Sequence, residues 1–264
     1  MIFINLFIIF ILGTIIGSFL NVVVLRYNTG LSIVTGRSKC FTCGKSLNWY
    51  ELVPVFSFLF LGGKCLSCKS KISYQYPIVE LVTGVVFSGL FLKFGLITLL
   101  PLYMLVASVL IAMAVYDFKH KIIPDGMVLT FIALSLVLFL VAHPFKSFYF
   151  GSITLDLLAA PILFSFFAFF WLVSSGKWMG FGDAKLAIGV GFLLGFSGGL
   201  FAIVLAFWIG AAFSLVLMFL QKINIAKFNL SLKSEIPFAP FIILSVFIQI
   251  FTSWNLNNII HFLG

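Results

Sequence analysis

Residues 184–220 read AKLAIGVGFLLGFSGGLFAIVLAFWIGAAFSLVLMFL, and whether this run is one helix or two settles the topology of the chain around it. Two helices would join at Ser197-Gly198-Gly199. Outward from it, further apolar runs cover 3–25, 77–94, 96–116, 126–142, 157–173 and 237–251, most long enough to cross ~30 Å of hydrocarbon. Charge decides between one helix and two, because cytoplasmic loops collect Lys and Arg. With 184–197 and 199–220 as separate spans and the N-terminus outside, only Lys93 and Lys146 of the 16 basic residues fall outside. Fusing them puts Lys222, Lys227 and Lys233 outside as well. The expectation is therefore about eight spans with both termini outside.

Composition agrees. The 264 residues are 62% hydrophobic and 9% charged, where a soluble domain carries about a quarter charged. This is an all-α polytopic membrane protein. The net charge of +9 is a topology signal and calls for no nucleic-acid partner. The first run has no basic residue before it and Arg26 after it, the reverse of a secretory signal, so it reads as a retained span. Gly13 and Gly17 within it form a small-xxx-small pair that admits a close neighbour, and Asn21 can bond that neighbour.

The expected domains are a first helix at 1–25, a cytoplasmic lobe at 26–76 and a seven-helix core at 77–264. The lobe holds all four cysteines as Cys40-Phe41-Thr42-Cys43 and Cys65-Leu66-Ser67-Cys68, with 21 residues between the pairs. Two CxxC knuckles at this spacing match a four-thiolate Zn2+ site with no open position, hence a structural one. Disulfides are the alternative, and a reducing cytoplasm argues against them. Glu80, a few residues into an apolar run, is either functional or a helix-terminus charge.

Two carboxylates stand out. Asp117 ends an apolar run, the wrong helix end for an anion. Asp183 follows Gly180-Phe181-Gly182, at the mouth of the 14-residue run 184–197, only ~21 Å long at helical rise. Such a short, glycine-rich helix borders a water-accessible cavity. Asp125 after Pro124, and Asp183 taken alone, also read as helix N-caps. His120 beside Asp117 is a proton shuttle or simply a solvated side chain. His143 and Asp156, in the outside loop 143–156, suggest no chemistry. Two aspartates at one wet membrane face are the equipment of an aspartic peptidase, which activates water without a covalent intermediate. The helix ends bias the shared proton toward Asp117 and leave Asp183 as base.

With Gly17-Ser18-Phe19-Leu20-Asn21, the CxxC pairs, Tyr76-Pro77-Ile78-Val79-Glu80, Asp117 through Pro124-Asp125, and Gly180-Phe181-Gly182-Asp183 in this order, the chain resembles the bacterial prepilin peptidases. These are also called type IV leader peptidases, membrane aspartic proteases of the GxGD class. The resemblance covers nearly the whole chain. It implies Asp117 and Asp183 as the catalytic pair, with Gly180, Gly182, Pro124 and Asp125 as supporting motif residues. It also implies cleavage of prepilin or pseudopilin leaders at the cytoplasmic face of the inner membrane. Because loop 26–76 is present, it further implies N-methylation of the new terminus from S-adenosylmethionine, with Gly63 and Glu80 as candidate methyl-donor contacts. Arg26-Tyr27-Asn28 departs from the family in lacking a proline after the first span. A transporter or channel with intramembrane carboxylates is the rival reading. Such proteins place carboxylates near mid-membrane in repeated halves, and no inverted repeat is evident.

Overall fold

The computed structural model describes residues 2–142, 152–222 and 237–253. His143, Lys146, Lys227 and Lys233 lie outside them. The described residues form helices α1 (Ile2–Arg26), α2 (Phe56–Phe60), α3 (Gln75–Phe94), α4 (Leu100–His120), α5 (Asp125–Ala142), α6 (Ser152–Val173), α7 (Phe181–Lys222) and α8 (Ala239–Thr252), with no named strand among them. Six of these are long and apolar enough to cross a membrane. Many of their exposed side chains are large and apolar, Phe3, Leu129, Leu172 and Trp208 among them, as a lipid-facing exterior requires. Contacts divide the chain into two compact units, 1–115 and 116–264.

In the first unit α1 and α3 run antiparallel at backbone contact. A Cβ placed on Gly13 would lie 2.7 Å from Gly84 Cα, and one on Gly17 would lie 2.7 Å from Glu80 Cα. The small-xxx-small pair is thus the seam of this helix pair. Asn21, one turn further on, donates from Nδ2 to the Tyr76 carbonyl at 3.2 Å and accepts from Gln75 Nε2 at 3.4 Å. Its role is to bond a neighbouring helix.

In the second unit the packing register fixes direction. Ile123 meets Gly182 and Phe131 meets Gly189, so α5 and the first half of α7 run parallel. Ala160 meets Gly191 while Phe164 and Trp171 meet Phe181, so α6 runs antiparallel to both.

The run 184–220 reverses within α7. Gly195 breaks the helix at φ 68°, ψ −172°, a conformation essentially confined to glycine. A Cβ on Gly199 would lie 3.8 Å from Gly191 Cα, whereas eight residues of continuous helix separate by ~12 Å. The chain therefore doubles back. The turn is at Gly195, two residues before the Ser197-Gly198-Gly199 junction expected from sequence, because a partner side chain chooses it. Asp156 Oδ1 accepts the Phe196 N–H at 2.9 Å and sits where a Gly195 side chain would be, 2.5 Å from its Cβ position. Asp156 belongs to α6 rather than to a loop, and it satisfies a donor that the break exposes in an apolar setting.

Gly17→Val forces α1 off α3 and lowers stability by about 1–3 kcal/mol, read as a fall in Tm of the detergent-purified chain. Asp156→Ala strands the Phe196 N–H and costs about 1–3 kcal/mol in the same measurement; an unchanged Tm contradicts the assigned hydrogen bond.

Candidate active site and metal centre

Asp117 lies in the last turn of α4, which closes with Lys121 in the left-handed region (φ 56°) and its N–H on the Asp117 carbonyl at 2.7 Å. The Asp117 side chain is buried, 4% exposed. It accepts the backbone N–H of Ala239, the first residue of α8. Sequence reading places Asp117 at an unfavourable helix end; the fold sets it against the favourable end of a different helix. No local signal could show this, since Ala239 is remote in sequence.

Asp183 is the third residue of α7, not its N-cap. Its N–H donates to the Gly180 carbonyl at 3.2 Å, and its carboxylate accepts the Gly180 N–H, the reciprocal half of a capping box. It too is buried, 7% exposed, and lies close enough to Asp117 to feel its charge. Asp183 thus sits at one helix N-terminus, and Asp117 lies between the C-terminus of α4 and the N-terminus of α8, so the two helix ends at Asp117 act on its charge in opposite directions.

The glycines of the motif differ in purpose. A Cβ on Gly182 would come within 3.1 Å of Ile123 Cβ, so this glycine lets the α4–α5 connector close on α7. A Cβ on Gly180 would make only ordinary contacts, with Asp183 Oδ2 at 3.6 Å and the Gly182 nitrogen at 3.9 Å; Gly180 contributes backbone. Pro124 precedes α5, whose first residue is Asp125, one place inside the expected N-cap. The Asp125 carboxylate pairs with Lys185 Nζ at 2.7 Å, and that ammonium also lies 5.1 Å above the Phe181 ring. Lys185 is a member of the constellation that sequence reading missed. Its signal was the i+2 position after Asp183. His120 is exposed and stacks on Tyr116 at 4.4 Å.

In the first unit the four cysteines are free thiols whose Sγ atoms lie within 4.8 Å of one another. The two knuckles are built alike. The Cys40 N–H bonds the Lys45 carbonyl and the Cys65 N–H that of Ser70, each at 2.9 Å. Gly44 (φ 69°) and Lys69 (φ 57°) occupy the equivalent left-handed position after each pair. Cys40 and Cys68 Sγ are 3.8 Å apart. That is too long for a disulfide and matches the edge of a tetrahedron with ~2.3 Å metal–sulfur bonds. Backbone N–H groups of Cys43 and Thr42, then the Ser70 hydroxyl, pull the Cys40 thiol down to about 6; Ser70 likewise lowers Cys68. At Cys43 the favourable Lys45 N–H is outweighed by desolvation and the neighbouring thiols, and the value rises to about 11. Crowded thiols that resist full ionisation together are what a divalent cation resolves. The donor set fits a metal ion, and Ser70 is a supporting residue the cysteine spacing did not reveal.

Glu80 is buried in the second turn of α3. Its Oε2 accepts the Val55 N–H at 2.7 Å and the carboxylate bonds Ser18 of α1, tying the lobe to both helices. Val55 is held at φ 63°, a strained conformation for a β-branched residue. Gly63 (φ 67°) closes over Phe58, which a Cβ would approach to 2.9 Å.

The family model for the bacterial peptidase A24 N-terminal domain matches residues 11–94, and that for the type IV leader peptidase family matches 104–215. The chain is 35% identical over 234 residues to the prepilin leader peptidase/N-methyltransferase of Bacillus subtilis, covering 88% of each chain. It is 31% identical over 266 residues to that of Pseudomonas aeruginosa, covering 90% of this chain and 87% of the relative. No solved structure matches significantly.

Purified protein is expected to carry about one divalent ion per chain, measured by elemental mass spectrometry. Cys65→Ser should lose it, and so should acidification, which protonates the thiolate ligands. Full metal content in that variant contradicts the four-thiolate centre.

Proposed function

The chain belongs to the type IV leader peptidase family, and on that premise we propose that it cuts the leader from prepilins or pseudopilins at the cytoplasmic membrane face, with Asp117 and Asp183 as the catalytic pair. The observation that carries the reading is two buried carboxylates in electrostatic contact, each held by a backbone N–H at a helix N-terminus. Such a pair shares one proton. The ionised member takes a proton from water, whose oxygen attacks the scissile carbonyl carbon. The protonated member gives its proton to the carbonyl oxygen; the proton taken from water then passes to the departing nitrogen as the C–N bond breaks, and the intermediate's hydroxyl returns a proton to the pair, releasing acid and amine. Gly180 and Gly182 position Asp183 and the connector; Pro124 and Asp125, with Lys185, brace the start of α5 against α7.

The membrane arrangement we propose counts the two halves of α7 as separate spans, giving eight with α8 and both termini outside. The parallel α5 and antiparallel α6 registers support it, as do helix ends 117–125, 180–185 and 239 gathering at one face with the Asp156–Phe196 contact at the other. Residues 1–25, 26–76 and 77–264 then act as first span, lobe and seven-helix core. Zn2+ is the ion proposed for Cys40, Cys43, Cys65 and Cys68, in a structural role.

N-methylation of the new terminus is the second activity proposed, as the Bacillus subtilis and Pseudomonas aeruginosa relatives are named for it. S-adenosylmethionine would supply an electrophilic methyl group, its sulfonium sulfur leaving as a neutral thioether. Gly63 and Glu80 are proposed near it, and the carboxylate of Glu80 is already committed to Val55 and Ser18.

Asp117→Asn and Asp183→Asn are each expected to reduce cleavage of a purified prepilin by ~10³-fold or more with Tm and metal content retained. Mass spectrometry of the product N-terminus reports cut position and methylation together. Full cleavage by either variant removes the pair.

A further inference from the structure

The lobe exposes an apolar patch that its own packing leaves uncovered. Residues 49–61 read WYELVPVFSFLFL, and Trp49, Phe56, Leu59 and Phe60 are 80%, 60%, 67% and 86% exposed. A segment this apolar in a polar lobe marks an interaction surface.

Its position identifies the partner. Glu80 stands five residues into α3, ~7.5 Å along the axis from Gln75, and holds the Val55 N–H at 2.7 Å. The chain is therefore pinned at the depth of the second turn of a membrane-spanning helix at the point where α2 begins. An interfacial helix buries its apolar face ~5–10 Å into the headgroup and acyl boundary. Trp49 and Tyr50, edge to face at 5.9 Å, are the residue types of a membrane-interface belt. Lys64, Lys69 and Lys71, all exposed just beyond the patch, supply the positive charge that anionic headgroups attract.

We propose that residues 49–61 lie in the cytoplasmic leaflet as a monotopic anchor, Phe56, Leu59 and Phe60 among acyl chains. The anchor holds the metal lobe against the bilayer. It rests on the reading that α1 and α3 cross the membrane with the lobe inside. Glu80 then has a structural purpose independent of any methyl donor: it binds the entry of a lipid-embedded segment to the helix pair.

The test uses the full chain in nanodiscs of phosphatidylethanolamine and phosphatidylglycerol containing a lipid with a diazirine on its acyl chain. After photolysis, adducts are mapped by mass spectrometry. Two internal references are Val85, 61% exposed at mid-α3, and Phe41, 83% exposed on a knuckle. The expected result is labelling of 56–61 at least about tenfold above the Phe41 peptide and comparable to the Val85 peptide. Phe56→Ser/Leu59→Ser/Phe60→Ser should lose that label while keeping its metal. Labelling at Val85 but not at 56–61 overturns the anchor and leaves the spans standing. Labelling at neither overturns both. A patch shielded from acyl-chain and water-soluble carbene labels alike is covered by protein, a second copy of the chain or a bound helix, and also overturns the proposal.

Discussion

The structure depends on one repeated bond, a carboxylate accepting a backbone N–H that no helix or sheet can satisfy. Asp117 takes that of Ala239, Asp183 that of Gly180, Asp156 that of Phe196, Glu80 that of Val55 and Glu51 that of Asn48. The chain has only seven acidic residues, and of the described remainder Asp125 pairs with Lys185. In hydrocarbon an unpaired N–H costs several kcal/mol, and an anion beside it gains from both the hydrogen bond and the helix end. Five of the six described acids therefore mark places where the backbone stops being regular.

That rule relates fold and chemistry. Asp156 and Glu80 use it to stabilise, one a reversal in α7 and the other the junction of lobe and helix pair. Asp117 and Asp183 use the same bond with an added consequence. Because each is anchored by one backbone donor, each has a fixed direction and retains acceptor capacity for water or a substrate group. Pre-set orientation is what the proposed acid–base role would need.

Local patterns were legible in the sequence where the physics is local. Apolar runs gave the helices, the Gly13/Gly17 spacing gave the α1–α3 seam, and the CxxC spacing gave the thiol cluster. The α7 break was displaced by two residues because Asp156 chooses it, and a partner 40 positions away leaves no mark on glycine spacing. Asp125 and Asp183 fall one and three places inside the N-caps expected for them, since Pro124 and Gly180 take those positions instead. The donor to Asp117, the Lys185 ion pair and the reach of the Ser70 hydroxyl to Cys40 were hidden for one reason: each is a contact chosen by tertiary packing. Lys69 was hidden for a different, local reason: it takes the left-handed position of its own turn, which Gly44 fills in the other knuckle, and residue type did not mark it.

The same packing explains why glycine appears twice before Asp183 and why the two positions are not equivalent. Asp183 must reach back to the Gly180 N–H, which needs a helix start at that residue and no particular side chain there. Gly182 faces outward onto Ile123, where a Cβ would sit 3.1 Å from another. The connector between Asp117 and Asp125 closes tightly on the α7 N-terminus with that position bare, and a side chain there would have to push Ile123 back by a few tenths of an ångström. One glycine thus frames a carboxylate and the other brings its partner within reach, so the motif is a condition on two chain segments at once.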